Sequence, residues 1–239
     1  MPIFFQHQIK ENTRLGIWKI EETEEFFKGN VPQHRDVTHP HKRLQHLAGR
    51  FLLQFLFPDF PYELIRIADT RKPFLPDEQY HFSISHCGDY AAAIVSKDSR
   101  VGVDIEVPVE KILRIQYKFL SDEEKKIFSQ MSPSANIFHR SPFGQNSMLN
   151  VQANSRHLPA GQAGSPLPTD HSLLTLLWSA KESVFKWYGD GEVDFRKHIH
   201  LLRLHEGMET IECFFSKNES ELIIHFRQFE HLVVAWVVS

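Results

Sequence analysis

The chain has 239 residues, 41% of them hydrophobic, and a formal net charge of −3. That size and apolar content can bury one large core or two small ones, which excludes disorder throughout, and the slight negative balance without a Lys/Arg block gives no field for wrapping a nucleic acid. The start, Met1-Pro-Ile-Phe-Phe-Gln-His7, has no charged leader pattern, no apolar run reaches membrane-spanning length, and Cys87 and Cys213 form no CxxC pair; a soluble cytoplasmic protein with two free thiols is expected.

In chain order, residues 3–9 and 14–20 are rich in β-branched and aromatic types and read as strands, followed by a short acidic helix from Glu22 to Lys28. Between His41 and Phe57, Leu44, Leu47, Phe51, Leu52 and Phe55 fall at helical spacing and Pro58 stops the run, giving a first long helix. Strands are expected at 64–68, 80–85, 90–96 and 101–107, with Asp98-Ser-Arg100 as the turn before the last, so that a meander ends in the strand Val101-Gly-Val-Asp-Ile-Glu-Val107.

The second part repeats this plan. A helix is expected over Val109–Phe119, then Ser121-Asp-Glu-Glu124 has the capping-box pattern of a helix start running towards Gln130. A second long helix covers Leu173–Tyr188 and ends at Gly189 and Gly191, and strands are expected near 198–204, 210–216, 221–227 and 231–238. Ala91-Ala-Ala-Ile-Val-Ser96 and Val234-Ala-Trp-Val-Val-Ser239 are loosely alike. The chain is therefore read as α+β in two similar halves, 1–100 and 101–239. Residues 131–172, rich in Ser, Pro, Gly and Asn and without apolar period, are expected to be a disordered insertion, with Arg140 and Arg156 as candidates for gripping an acidic partner.

Two runs carry chemistry. In Val101–Val107 the even positions are Gly102, Asp104 and Glu106, so a strand sets both carboxylates on one face, and Gly102 is expected to leave that face open to a ligand. In Trp178-Ser-Ala-Lys-Glu-Ser-Val-Phe-Lys186, Glu182 and Lys186 stand one helical turn apart. Carboxylates with a lysine suit a hard cation held through substrate phosphates. The plain alternatives stay open at this level: carboxylates on a solvent face of a half-buried strand, and an exposed i,i+4 ion pair contributing about 0.3 kcal/mol, with Trp178 and Phe185 as core. His39, His41, His198 and His200 find no third and fourth ligand at zinc spacing.

Four motifs in order, Arg71-Lys-Pro73, Phe82-Ser-Ile-Ser-His86, Val101 to Glu106 and Trp178 to Lys186, together resemble the 4'-phosphopantetheinyl transferases of the large, surfactin-synthetase-activating type, over roughly residues 40–130 and 173–239. The resemblance implies two α+β halves about a pseudo-twofold axis with the active site between them, in a monomer. It implies transfer of the 4'-phosphopantetheine arm of coenzyme A to a serine of an apo acyl or peptidyl carrier protein, with Mg2+. It assigns Asp104, Glu106 and Glu182 to the metal, Glu182 also to the base that activates the serine, and Lys186 to the pyrophosphate. Lys72, His86, Arg43 and, less specifically, Arg50 are implied coenzyme contacts. Arg71 stands where the family carries Gly before the lysine, which puts the loop backbone in question, and Cys87 stands where Ser is usual, which is expected to matter little if only backbone groups are used there. The other readings are a non-catalytic protein of the same fold that binds coenzyme A or a carrier, and a magnesium-dependent phosphohydrolase.

Overall fold

The computed structural model describes residues 3–31, 37–130 and 170–239. The expected insertion, with Arg140 and Arg156, lies outside these residues, except that 170–172 belong to a helix.

The N-terminal alternating pattern forms an antiparallel hairpin of β1 (Ile3–Lys10) and β2 (Thr13–Lys19). A short helix α1 (Glu24–Lys28) leads to α2 (Pro40–Leu56), which opens on Pro40, where the missing N–H is harmless, and stops before Pro58. The strand expected at 64–68 shrinks to β3 (Arg66–Ile67), which pairs only with β4 (Pro73–Phe74). Then come β5 (His81–Cys87), β6 (Tyr90–Ser96) and β7 (Val101–Glu106).

The expected meander breaks at β7. The first sheet has the order β1-β2-β6-β5, whereas β7 pairs with the last strand in a second sheet. That sheet has the order β7-β11-β10-β9-β8 and comprises β8 (Ile199–His205), β9 (Thr210–Phe215), β10 (Ser220–Phe229) and β11 (Leu232–Val238). The cause is burial: Val101, Val103 and Ile105 are almost wholly enclosed against Leu15, Ile17, Ala92 and Ile94 of the first sheet, while the other face of β7 meets a helix. A strand apolar on one side and helix-covered on the other belongs between the sheets rather than at the end of one.

Between β7 and β8 lie α3 (Ile112–Ile115), α4 (Asp122–Ser129), α5 (Asp170–Tyr188) and α6 (Phe195–His198). The helix expected over 109–119 is cut to α3 and a 3-10 turn, because Val109 and Tyr117 remain exposed and supply no continuous buried stripe. The capping box forms as written: Ser121 Oγ accepts from the Glu124 N–H, and the Glu124 carboxylate from the Ser121 N–H. Helix α2 covers the outer face of the first sheet through Leu47, Leu52, Leu53 and Leu56, and α5 covers the second through Leu174, Leu177, Ala180 and Val184. The order strand, long helix, hairpin thus occurs twice: β2, α2, β5 and β6 lie side by side as β2-β6-β5, and β7, α5, β10 and β11 as β7-β11-β10.

Candidate active site

Alternation along β7 turns Gly102, Asp104 and Glu106 towards α5. Gly102 does not open this face to a ligand, contrary to the expectation from sequence. A Cβ there would lie 2.1 Å from the Ser183 carbonyl and 2.5 Å from the Trp187 nitrogen, so its function is to let helix backbone rest directly on strand backbone. The close approach brings Trp178, Glu182 and Lys186, one turn apart in succession, over the two strand carboxylates.

Asp104 is 3% exposed. Its Oδ1 accepts hydrogen bonds from Lys186 Nζ at 2.7 Å and Ser85 Oγ at 2.8 Å, and its Oδ2 is buried without a partner. Glu106 accepts from the Trp178 indole N–H at 3.1 Å, and burial together with Asp104 pushes its carboxyl above the usual range. Glu182 is pushed up to about 7 by burial and then by the Asp104 charge, against the opposing pull of Lys186. Three acids crowded into a partly dry space, two of them held back from ionising and the third with a bare buried oxygen, are short of positive charge. This donor set, all carboxylate oxygen, fits a hard divalent cation, although among the described residues no three His, Cys, Asp or Glu side chains are gathered in metal-binding geometry.

Around this cluster the basic residues divide. His86, at the end of β5, is held below its ordinary value by burial and by Lys186, and its ring meets that of His46 at 5.3 Å; Lys42 adds to the same field. Arg50, one turn beyond His46 on α2, is depressed by desolvation and carries a buried Nη1 with no partner. Arg43 is placed otherwise: its Nε and Nη2 clamp both oxygens of Glu24 at 2.7 and 2.8 Å, and Nη1 donates to the Val37 carbonyl at 2.7 Å. It ties α2 to α1.

Lys72 is carried by the β3–β4 hairpin to the end of α5. A Cβ at Gly189 (φ +80°) would fall 2.3 Å from Lys72 Nζ, and Thr70 Oγ1 donates to the Gly189 carbonyl at 3.1 Å. Burial, then Arg100, lowers the Lys72 amine, with Asp190 opposing. A cavity of about 230 Å3 bounded by Arg71, Lys72, Pro73, Ile84, Phe185 and Lys186 lies between this hairpin and the lysine that bonds Asp104. Arg71 itself has φ +67°, so the chain keeps at this position the left-handed backbone that glycine adopts freely.

Two features escape the sequence reading. On β5, Ser83 Oγ, Ser85 Oγ and Cys87 Sγ accept the N–H groups of Val103, Ile105 and Val107 at 3.2, 3.3 and 3.4 Å. Alternate small polar side chains on one strand were the available signal, and Cys87 matters through its sulfur, not only its backbone. The other is Lys181, fully buried, whose ammonium meets Glu124 and the carbonyls of Phe195 and Ile199. Both cysteines are free thiols, Cys87 pushed up to about 11 and Cys213 to about 12 by burial.

Residues 152–237 match the family model described as the 4'-phosphopantetheinyl transferase superfamily. Enterobactin synthase component D of Salmonella austin is 30% identical over 149 residues, which cover 62% of this chain and 49% of that protein. Enterobactin synthase component D of Escherichia coli K12 is 39% identical over 66 residues, 27% of this chain and 31% of that protein. 4'-Phosphopantetheinyl transferase AcpT of Escherichia coli O157:H7 is 38% identical over 66 residues, 28% of this chain and 33% of that protein. The chain spans about half the length of the curated relative with the longest of these matches, 49%. The likeness does not single out the surfactin-synthetase-activating type. It does take in the part of α5 that carries Glu182 and Lys186 and runs on into β11, and over these residues the chain is similar to the 4'-phosphopantetheinyl transferase superfamily.

Proposed function

We propose that the protein transfers the 4'-phosphopantetheine group of coenzyme A to a serine hydroxyl of an apo acyl or peptidyl carrier protein, releasing adenosine 3',5'-bisphosphate, with Mg2+. The observation that carries this reading is the bare buried Oδ2 of Asp104, set beside two carboxyls that resist ionisation and beside Lys186. Asp104, Glu106 and Glu182 would hold the cation, which when bound supplies charge neutralisation on the pyrophosphate.

The protein groups divide the remaining work. Lys186 and Lys72 neutralise charge that builds on the leaving group. His86, Arg50 and Lys42 receive the coenzyme's phosphates along α2 and the end of β5. Arg43 serves there only if it gives up Glu24. Glu182, with its carboxyl near 7, is suited to take a proton from the attacking serine near neutral pH. The reading extends to a monomer of the large family type acting in the cytoplasm, with halves 1–100 and 101–239 about an approximate twofold axis. The recurring strand, helix, hairpin order and the unpaired thiols support it.

The test is intact-mass spectrometry of several apo carrier proteins after incubation with this protein, coenzyme A and Mg2+. A gain of one phosphopantetheine that EDTA abolishes, and that Asp104→Ala and Lys186→Ala lose while still folded, is expected. Coenzyme binding without any mass gain would leave a binding protein. Breakdown of coenzyme A without a carrier would make it a hydrolase.

A further inference from the structure

Asp104 and Lys186 both belong to the second sheet and its helix, yet a third group, from the first sheet, holds them in place. Ser85 is 6% exposed, on β5. Its oxygen accepts from Lys186 Nζ at 2.8 Å and from the Ile105 N–H at 3.3 Å. A serine oxygen has two lone pairs and one proton. Both lone pairs are taken by donors that can only donate, so the proton has a single destination, Asp104 Oδ1 at 2.8 Å. The hydroxyl therefore has no rotational choice.

We infer that Ser85 is a positioning residue for this site, whose fixed hydroxyl decides which oxygen of Asp104 is spent and which is kept. Oδ1 is filled by Ser85 and Lys186, so the carboxylate cannot rotate without losing two charge-assisted hydrogen bonds, and Oδ2 is the one left bare. The same hydroxyl gives the long Lys186 stem a second acceptor, which holds the ammonium at one point instead of letting it swing about the acid. The neighbouring seam contact, Ser83 Oγ with the Val103 N–H at 3.2 Å, joins the same two strands but involves no hydrogen bond to Asp104 or Lys186. Seam and site can therefore be separated by experiment.

The inference rests on the reading of Asp104 and Lys186 given above, and the test distinguishes failure of one from failure of the other. Steady-state transfer would be measured for the native chain, Ser85→Ala, Ser85→Thr and Ser83→Ala, each with a thermal melt, and the crystal structure of Ser85→Ala would be solved alongside. The expected results are a fall of kcat by about 10- to 100-fold in Ser85→Ala with the carrier KM within about three-fold, recovery to within about three-fold in Ser85→Thr, and a kcat within about three-fold of native in Ser83→Ala. In the Ser85→Ala crystal the Lys186 ammonium and the Asp104 carboxylate should depart from their native positions. An Asp104–Lys186 pair unmoved in that crystal overturns the inference whether or not the native protein transfers anything. Equal losses in Ser83→Ala and Ser85→Ala, tracking their melting temperatures, would also overturn it by reducing Ser85 to a seam residue. A native protein inactive on every carrier overturns the transferase reading instead, and the crystal then decides Ser85 alone.

Discussion

Lys181 Nζ lies 2.7 Å from Glu124 Oε1, with the two side chains 0% and 3% exposed. The same acid accepts the N–H groups of Leu201 at 2.9 Å and Ser121 at 2.8 Å, so one carboxylate joins α4, α5 and β8. Lys181 and Glu182 are adjacent in sequence, and fixing the first inside the protein turns the second towards Asp104.

Removing one member of that pair leaves the other buried and uncompensated. Lys181→Met is expected to cost about 3 to 5 kcal/mol in urea unfolding. A loss under about 1 kcal/mol would show that Glu124 finds other partners.

Arg71 sits at φ +67° on an exposed hairpin. Glycine there removes left-handed strain but loosens the unfolded chain, and the balance is expected to stabilise by about 0.5 to 1 kcal/mol. A lower melting temperature for Arg71→Gly would mean that the arginine side chain holds the hairpin down.

Gly102→Ala would place a methyl 2.1 Å from the Ser183 carbonyl. Backbone cannot retract as a side-chain tip does, so α5 must lift from β7 at a cost of about 3 kcal/mol or more, above the usual range for overpacking. Because α5 carries Glu182 and Lys186, transfer activity should fall further than the folded fraction does. An activity loss that only matches the folded fraction would refute the close coupling of helix and site.

Glu182 links stability to pH. Its carboxyl is raised from 4.5 unfolded to about 7 folded, so the neutral form is favoured in the folded protein. The contribution is fully present below pH 4.5 and is lost as pH rises through 7. In EDTA, Glu182→Gln should therefore stabilise the protein at pH 8 by about 3 kcal/mol relative to native and change it little at pH 4.5. Unchanged urea midpoints at both pH values would place Glu182 in a wetter setting than the structure shows.

Much of the architecture was legible because long elements announce themselves. The apolar spacing of Leu44 to Phe55 and the glycines after Tyr188 marked α2 and α5, and Ser121 with Glu124 marked the start of α4. Sheet membership was not legible. Nothing local tells β7 to pair with β11 rather than β6, since that depends on both faces being buried by distant segments. The acids and Lys186 were legible as an ordered pattern, and the structure sets them beside one another. Ser85 was hidden in plain view because a serine's value depends on what surrounds its oxygen. The sequence shows the charge of Arg43 but not its pairing with Glu24, which lies 19 residues away.

The pairing of β7 with β11 also bears on how the protein is made. A ribosome delivers Asp104 and Glu106 on a strand whose neighbour, up to the Arg100–Ser239 backbone hydrogen bonds, is synthesised more than 100 residues later. Until β11 emerges, β7 has an open edge and an apolar face without its full cover, a form that invites aggregation or chaperone attention. The acid strand is thus translated well before the neighbour that secures it, so a half-made chain cannot present a finished site.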